Sequence, residues 1–189
     1  MLTVKSDYHK MESYAKKKPF IFGIIAFSIL IVTLAIITII VVLTTNDACK
    51  NNYSDDCLYA KMIFKKGEFP EHRTWTNANC YWSSYLGNGC GCAGFAYIMS
   101  DVCFGTLKTT ILKDCPNFKV GDVVRINSDT HSVIILKIDH KTNIITIAEG
   151  NYAGSVHWGR TFTTESLKKT CNYIQRRNPN YRISYDGIT

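Results

Sequence analysis

Cys92 opens the run Cys92-Ala93-Gly94-Phe95-Ala96-Tyr97, His131 follows Asp129-Thr130, and Glu149-Gly150-Asn151 comes further along the chain. A thiol, an imidazole and a carboxylate are the parts of a cysteine nucleophile site. The thiol attacks only as thiolate, and the start of a helix, with its unpaired N–H groups and positive dipole end, lowers a thiol pKa. Those N–H groups can also donate to the oxyanion of a tetrahedral intermediate. His131 would take a proton as base and return it to the leaving group as acid. Glu149 would hold the imidazole in one tautomer and stabilise its charged form. Asn151, just beyond, would share that task or polarise the substrate carbonyl.

The elements that must position these groups are legible around them. Across residues 92–104, apolar side chains recur at Cys92, Phe95, Ala96, Met99, Val102 and Cys103, and Gly105 supplies a stop. This three-and-four spacing predicts a helix with one buried face and Cys92 at its start. Downstream the period changes to short β-branched runs at 122–126, 132–138, 144–149 and 155–162, with turns at Asn127-Ser128-Asp129 and His140-Lys141-Thr142-Asn143. Such runs predict an antiparallel sheet, in which His131 begins one strand and Glu149 ends the next. A nucleophile helix packed on an antiparallel sheet is an α+β layout. Thr164 is expected to open a last short helix over 165–170. Residues 47–91 read as irregular, with a helical turn or two around 58–64.

The N-terminal part places this domain in a compartment. Residues 19–46 carry no charged side chain, and 20–43 are almost wholly apolar. About 24 residues make roughly 36 Å of helix, enough to cross a hydrocarbon core of roughly 30 Å. The run is too long for the apolar region of a cleaved signal peptide and lacks a small-residue cleavage site. A single transmembrane helix, in the lipid bilayer through residues 20–43, is therefore expected. Lys5, Lys10, Lys16, Lys17 and Lys18 outnumber Asp7 and Glu12 before it, which keeps the N-terminus cytoplasmic and puts the C-terminal domain outside. The expected organisation is a basic tail at 1–18, the membrane helix at 19–45, a cysteine-containing lead-in at 46–79 and the catalytic domain at 80–189.

All 8 cysteines follow the span, as an oxidising compartment would allow. With Cys92 reserved as a free thiol and Cys103 on the buried helix face, Cys49, Cys57, Cys80, Cys90, Cys115 and Cys171 are the disulfide candidates. Their connectivity is open at this stage. The net charge of +7 splits as +3 in the tail, which orientation explains, and +4 outside, which suits a solvated basic surface or an anionic wall polymer, and nothing resembles a nucleic-acid module.

The ordered set Cys92-Ala93-Gly94-Phe95-Ala96, Val120-Gly121-Asp122, His131-Ser132 and Ala148-Glu149-Gly150-Asn151 resembles the motif order of CHAP domains, the cysteine, histidine-dependent amidohydrolase/peptidases of the papain-like superfamily. The resemblance covers about residues 80–165. It implies an α+β papain-like fold and hydrolysis of peptide or amide bonds, often in peptidoglycan, by a Cys–His pair with a Glu or Asn orienter; no cofactor or metal is expected. It assigns the nucleophile to Cys92, the base to His131 and supporting roles to Glu149 and Asn151.

Other readings of the same residues are blander. Trp82, Trp158 and Arg160 are candidate substrate contacts, yet aromatic residues at this density commonly pack, and an arginine commonly forms a salt bridge. Cys80, Cys90 and Cys92 with a histidine would suit zinc only with paired ligand spacings that the chain lacks. A catalytically inactive, disulfide-stapled binding or adhesion ectodomain is the alternative to the enzyme. A thiol-exchange role would draw on the neighbouring Cys90 and Cys92.

Overall fold

A computed structural model describes residues 27, 29–38 and 49–178 of the 189-residue chain. Residues 27 and 29–38 are helical and exposed on every side, with Phe27, Ile29, Leu30, Ile31 and Val32 each more than half accessible. The rest of the expected 19–45 span and the whole of the basic tail at 1–18 lie outside the described residues. Among the described residues, no helix is long and apolar enough to cross a membrane.

The unit that begins at Asn51 is α+β. Its elements are α1 (Asp55–Phe64), a 3₁₀ turn (Lys65–Gly67), β1 (Cys80–Ser83), β2 (Gly87–Cys90), α2 (Cys92–Phe104) and β3 (Thr109–Leu112). β4 (Val123–Ile126), β5 (His131–Asp139), β6 (Ile144–Tyr152), β7 (Ser155–Thr163), α3 (Thr164–Thr170) and β8 (Cys171–Arg177) follow. β1 and β2 form a hairpin, and the other strands form one sheet in the order β3-β8-β4-β5-β6-β7. Every pairing in it is antiparallel.

The central strands β4, β5 and β6 are buried on both faces, and the pleat sorts their residues. Along β5, Ile134 and Leu136 join Phe95, Ala96, Met99 and Cys103 of α2 in one core, while Val133 and Ile135 join Leu167 of α3 and Ile174 of β8 in a second. Alternation by one residue therefore decides which core a side chain enters. Leu58, Met62, Phe69 and Trp75, from the 46–79 lead-in, belong to the α2-side core. Of the seam read from spacing, Cys92, Phe95, Ala96, Met99 and Cys103 are buried and Val102 is half-buried, while Gly94, Tyr97, Ser100 and Phe104 are buried as well, so α2 is enclosed on more than the one face expected.

Three features differ from the expected pattern. β1, β2, β3 and β8 are additional strands. β6 runs on to Tyr152, so Glu149 lies within the strand rather than at its end. Thr163, not Thr164, caps α3, because its extended backbone lets Oγ1 accept from the Ser166 N–H at 3.0 Å.

Disulfides join Cys80 to Cys90 and Cys115 to Cys171, and Cys49 and Cys57 are also disulfide-bonded. Cys92 and Cys103 are free and buried. Cys90 is thus committed to Cys80 across the β1–β2 register, which removes both a Cys90–Cys92 exchange pair and a zinc site on Cys80 and Cys90.

β6 approaches α2 so closely that only glycine fits at position 150. A Cβ there would lie 2.5 Å from Phe95 Cβ and 2.7 Å from Trp75 Cδ1. Gly150→Ala is expected to destabilise the domain by about 1–3 kcal/mol through overpacking. A lower urea midpoint at unchanged slope would report it.

Candidate active site

Cys92 is the first residue of α2, and Gly91 before it is the cap. No side chain caps this end, so the first N–H groups of the helix are left for a ligand. Gly91 holds φ +56°, and a Cβ there would lie 2.4 Å from Asn77 Oδ1 and 2.9 Å from Asn151 Nδ2. Its N–H donates to the Asn79 carbonyl at 2.8 Å, and its carbonyl accepts from Trp75 Nε1 at 2.8 Å. With the adjoining Cys80–Cys90 bridge, these contacts fix the backbone that presents the sulfur.

The pairing of Ile134 with Ala148 brings the start of β5 beside the 149–151 end of β6. There His131 Nε2 lies 2.7 Å from Glu149 Oε2. Nε2 is thereby occupied, and Nδ1 is the ring nitrogen left for the thiol. Cys92 Sγ lies 4.0 Å from the Thr130 carbonyl oxygen and 3.9 Å from Arg125 Nη1.

These neighbours set the protonation states. Burial alone would push the Cys92 thiol up. Hydrogen bonds from the His131 side chain and the Ser132 backbone, with the charges of His131 and Arg125, outweigh it and bring the thiol down to about 7. Burial would likewise push His131 down, but hydrogen bonds and attraction from Cys92 and Glu149 raise it to about 9. Between these values the thiolate–imidazolium pair is the favoured state. Glu149 is fully buried, which alone would raise its pKa. Its bonds to His131 and Arg160 reverse that and hold the carboxyl below its usual range.

Cys92, His131 and Glu149 therefore come together, whereas the other candidates do not all join them. Asn151 Nδ2 donates to Asn77 Oδ1 at 2.8 Å, so this side chain borders Gly91 rather than orienting His131. Arg160 grips Glu149 with two prongs, Nε to Oε1 at 2.6 Å and Nη2 to Oε2 at 2.5 Å, which commits it to an ion pair instead of a substrate carboxylate. Trp158 packs edge-on against Phe95 and donates from Nε1 to the Phe69 carbonyl at 2.8 Å. It is a half-buried residue packed against the α2-side core. Trp82 alone of the three stands exposed, on β1.

Two neighbours escaped the sequence reading. Arg125 shares the α2-side face of β4 with Val123 by alternation, and a hydrogen bond from Nε to Asp129 at 2.7 Å and one from Nη1 to Ser132 Oγ at 2.9 Å hold it beside the sulfur. Alternation along 122–126 was the signal that could have found it. Asn77 had none, since it lies in an irregular run. A cavity of about 690 Å³, lined by Tyr53, Leu58, Phe104, Asn117 and Arg176 among others, includes none of the site residues, so enclosed volume does not mark the chemistry.

Removing the Arg125 cation should raise the thiol pKa. Arg125→Ala is expected to lower the thiolate share at pH 7 about two- to fivefold, read as a slower alkylation rate of Cys92 by mass spectrometry. Cys103 serves as the internal control, because burial raises its thiol to about 12 and it should stay unlabelled.

The chain matches no family model and no curated protein sequence. Among solved structures it is similar in part to the crystal structure of Ly7917 with the hydrolyzing product of MDP, at TM-score 0.32 and 20% identity, over 36% of this chain and 31% of that chain. The crystal structure of Ly7917 alone aligns at TM-score 0.32 and 22% identity, over 38% of this chain and 32% of that one. The chain thus spans about a third of the length of the structures it matches.

Proposed function

We propose that this chain is a membrane-anchored cysteine hydrolase of the CHAP type, cleaving peptide or amide bonds outside the cytoplasm. The observation that carries the reading is the relay of Cys92, His131 and the buried Glu149 at an uncapped helix start. Peptidoglycan stem peptides and cross-bridges are the substrate class to test first, on the motif resemblance. The anchor rests on the apolar run at 20–43, whose described part is a helix with apolar side chains exposed all round.

The chemistry follows from the protonation states. The Cys92 thiolate attacks the scissile carbonyl carbon, and negative charge passes to the carbonyl oxygen. The Cys92 N–H, at a helix start that no side chain caps, would donate to that oxyanion. As the intermediate collapses, the His131 imidazolium gives its Nδ1 proton to the leaving amine and a thioester remains. Neutral His131 then takes a proton from water, hydroxide attacks the thioester, and Cys92 leaves as thiolate with His131 recharged. Throughout, Glu149 holds Nε2 and balances the positive ring.

Activity requires sulfur deprotonated and imidazole protonated. It should rise as pH passes about 7, where the thiol ionises, and fall as pH passes about 9, where His131 loses the proton owed to the leaving group. The measurement is kcat/KM against pH for full-length protein in detergent, following amino groups released from peptidoglycan. Cys92→Ala should abolish release and His131→Ala should lower it about 10²–10⁴-fold. Retained binding of wall fragments without release in the parent protein would favour the inactive binding ectodomain instead.

A further inference from the structure

We propose that Glu71, His72 and His157 form a binding site for a transition-metal dication of the zinc class. Their ligand atoms all lie within 4.8 Å of one another. His157 Nδ1 is 3.0 Å from Glu71 Oε1, and His72 Nδ1 is 3.8 Å from the same oxygen. Zinc bonds of about 2.0–2.1 Å at tetrahedral angles separate neighbouring ligand atoms by roughly 3.3 Å. Shifts of under about an ångström along these contacts would accommodate the ion.

The hydrogen bonds around His157 are compatible with a cation there. The Ser155 hydroxyl has two acceptors for its single proton, the Tyr152 carbonyl at 3.3 Å and His157 Nε2 at 3.0 Å. With that proton on the Tyr152 carbonyl, the Ser155 oxygen accepts from His157 Nε2–H, and Nδ1 turns its lone pair toward the Glu71 carboxylate, the tautomer that binds metal. With the Ser155 proton directed at His157 Nε2 instead, Nδ1–H donates to Glu71 and the pair is closed without an ion. Ser155 is also the kind of partner that fixes a metal-bound histidine in one tautomer. The Trp158 N–H holds Glu71 Oε2 at 2.8 Å, turning Oε1 toward the histidines.

His72 adds the third ligand at a backbone cost. Its φ of +63° is a left-handed conformation that few residues other than glycine adopt, and its N–H is fastened to the Val156 carbonyl at 2.9 Å. Its ring packs edge-on to that of His157, 5.1 Å between centroids. Two imidazoles with one carboxylate suit zinc and its neighbours in the first transition row, and they disfavour calcium and magnesium, which take all-oxygen shells. The Tyr152 ring touches His157 at 5.4 Å and stands 6.3 Å from His131. The ion would thus tie the loop before β1 to β7 one aromatic ring away from the proposed catalytic histidine.

The test uses untagged full-length protein in detergent, stripped of metal and carrying Cys92→Ala so that zinc cannot collect on the thiolate. Zinc affinity is measured by competition with a chromophoric chelator, and thermal midpoint is followed with and without zinc. One equivalent should bind and raise the midpoint. Glu71→Gln and His157→Ala should each weaken binding at least about tenfold. His72→Asn, which tolerates the left-handed backbone, should do the same in a protein that still folds. Cobalt(II) should give visible bands without thiolate charge transfer. Equal zinc affinity in the parent and in His72→Asn, or no midpoint rise in the parent, would overturn the proposal and leave a proton as the bridge.

Discussion

A carboxylate with no access to water is the constraint on which this site depends. Glu149 has 0% exposure, and an unpaired charge there would cost several kcal/mol or more. Its two oxygens are instead shared between the fork of Arg160 and Nε2 of His131. The arrangement leaves the carboxylate charged and the imidazole with one allowed orientation. It also couples chemistry to register, because Arg160 reaches Glu149 only while β6 and β7 keep their bulged pairing at Ile147 and Ala148.

The rest of the fold brings a sulfur to that fixed ring. α2 is buried along the Phe95–Met99 seam against β5 and β6, and Gly150 lets strand and helix backbones close up. The far end of α2 is tied down as well, since Asp101 meets Arg177 of β8 at 2.5 Å and accepts from the Tyr81 hydroxyl at 3.1 Å. Asp122, in the Val-Gly-Asp motif, binds Arg176 through both oxygens and so fastens β8 beside β4. That motif serves the sheet rather than the reaction. At the near end, the β1–β2 disulfide, the Gly91 turn and Trp75 hold Cys92 with its helix N–H groups open.

What could be read from the chain was the part governed by local period. The three-and-four spacing in α2 and the short β-branched runs were legible, and both survive in the structure because apolar runs of that length must be buried, here on both faces of the central strands. β8 was missed because Cys171-Asn172-Tyr173-Ile174-Gln175-Arg176-Arg177 ends in two arginines, which local pattern reads as exposed. Arg176 and Arg177 are buried or partly buried by pairing with Asp122 and Asp101, contacts more than fifty residues away in sequence. β1 and β2 are short, glycine-bearing and held by a disulfide, so propensity had little to register. Within the site, residue order sufficed to bring Cys92, His131 and Glu149 into view. The ion-pair role of Arg160 and the approach of Arg125 were set by cross-strand register, which no single segment contains.

The central claim is that the buried carboxylate, acting through His131, activates Cys92. Its most direct test is the pH dependence of Cys92 alkylation in full-length protein, compared with Glu149→Gln. Labelling in the parent should follow a midpoint near 7, and the midpoint should move upward in the variant as the imidazolium loses its partner. A parent midpoint near the ordinary thiol value of 9.0, or one unmoved by Glu149→Gln, would contradict the account.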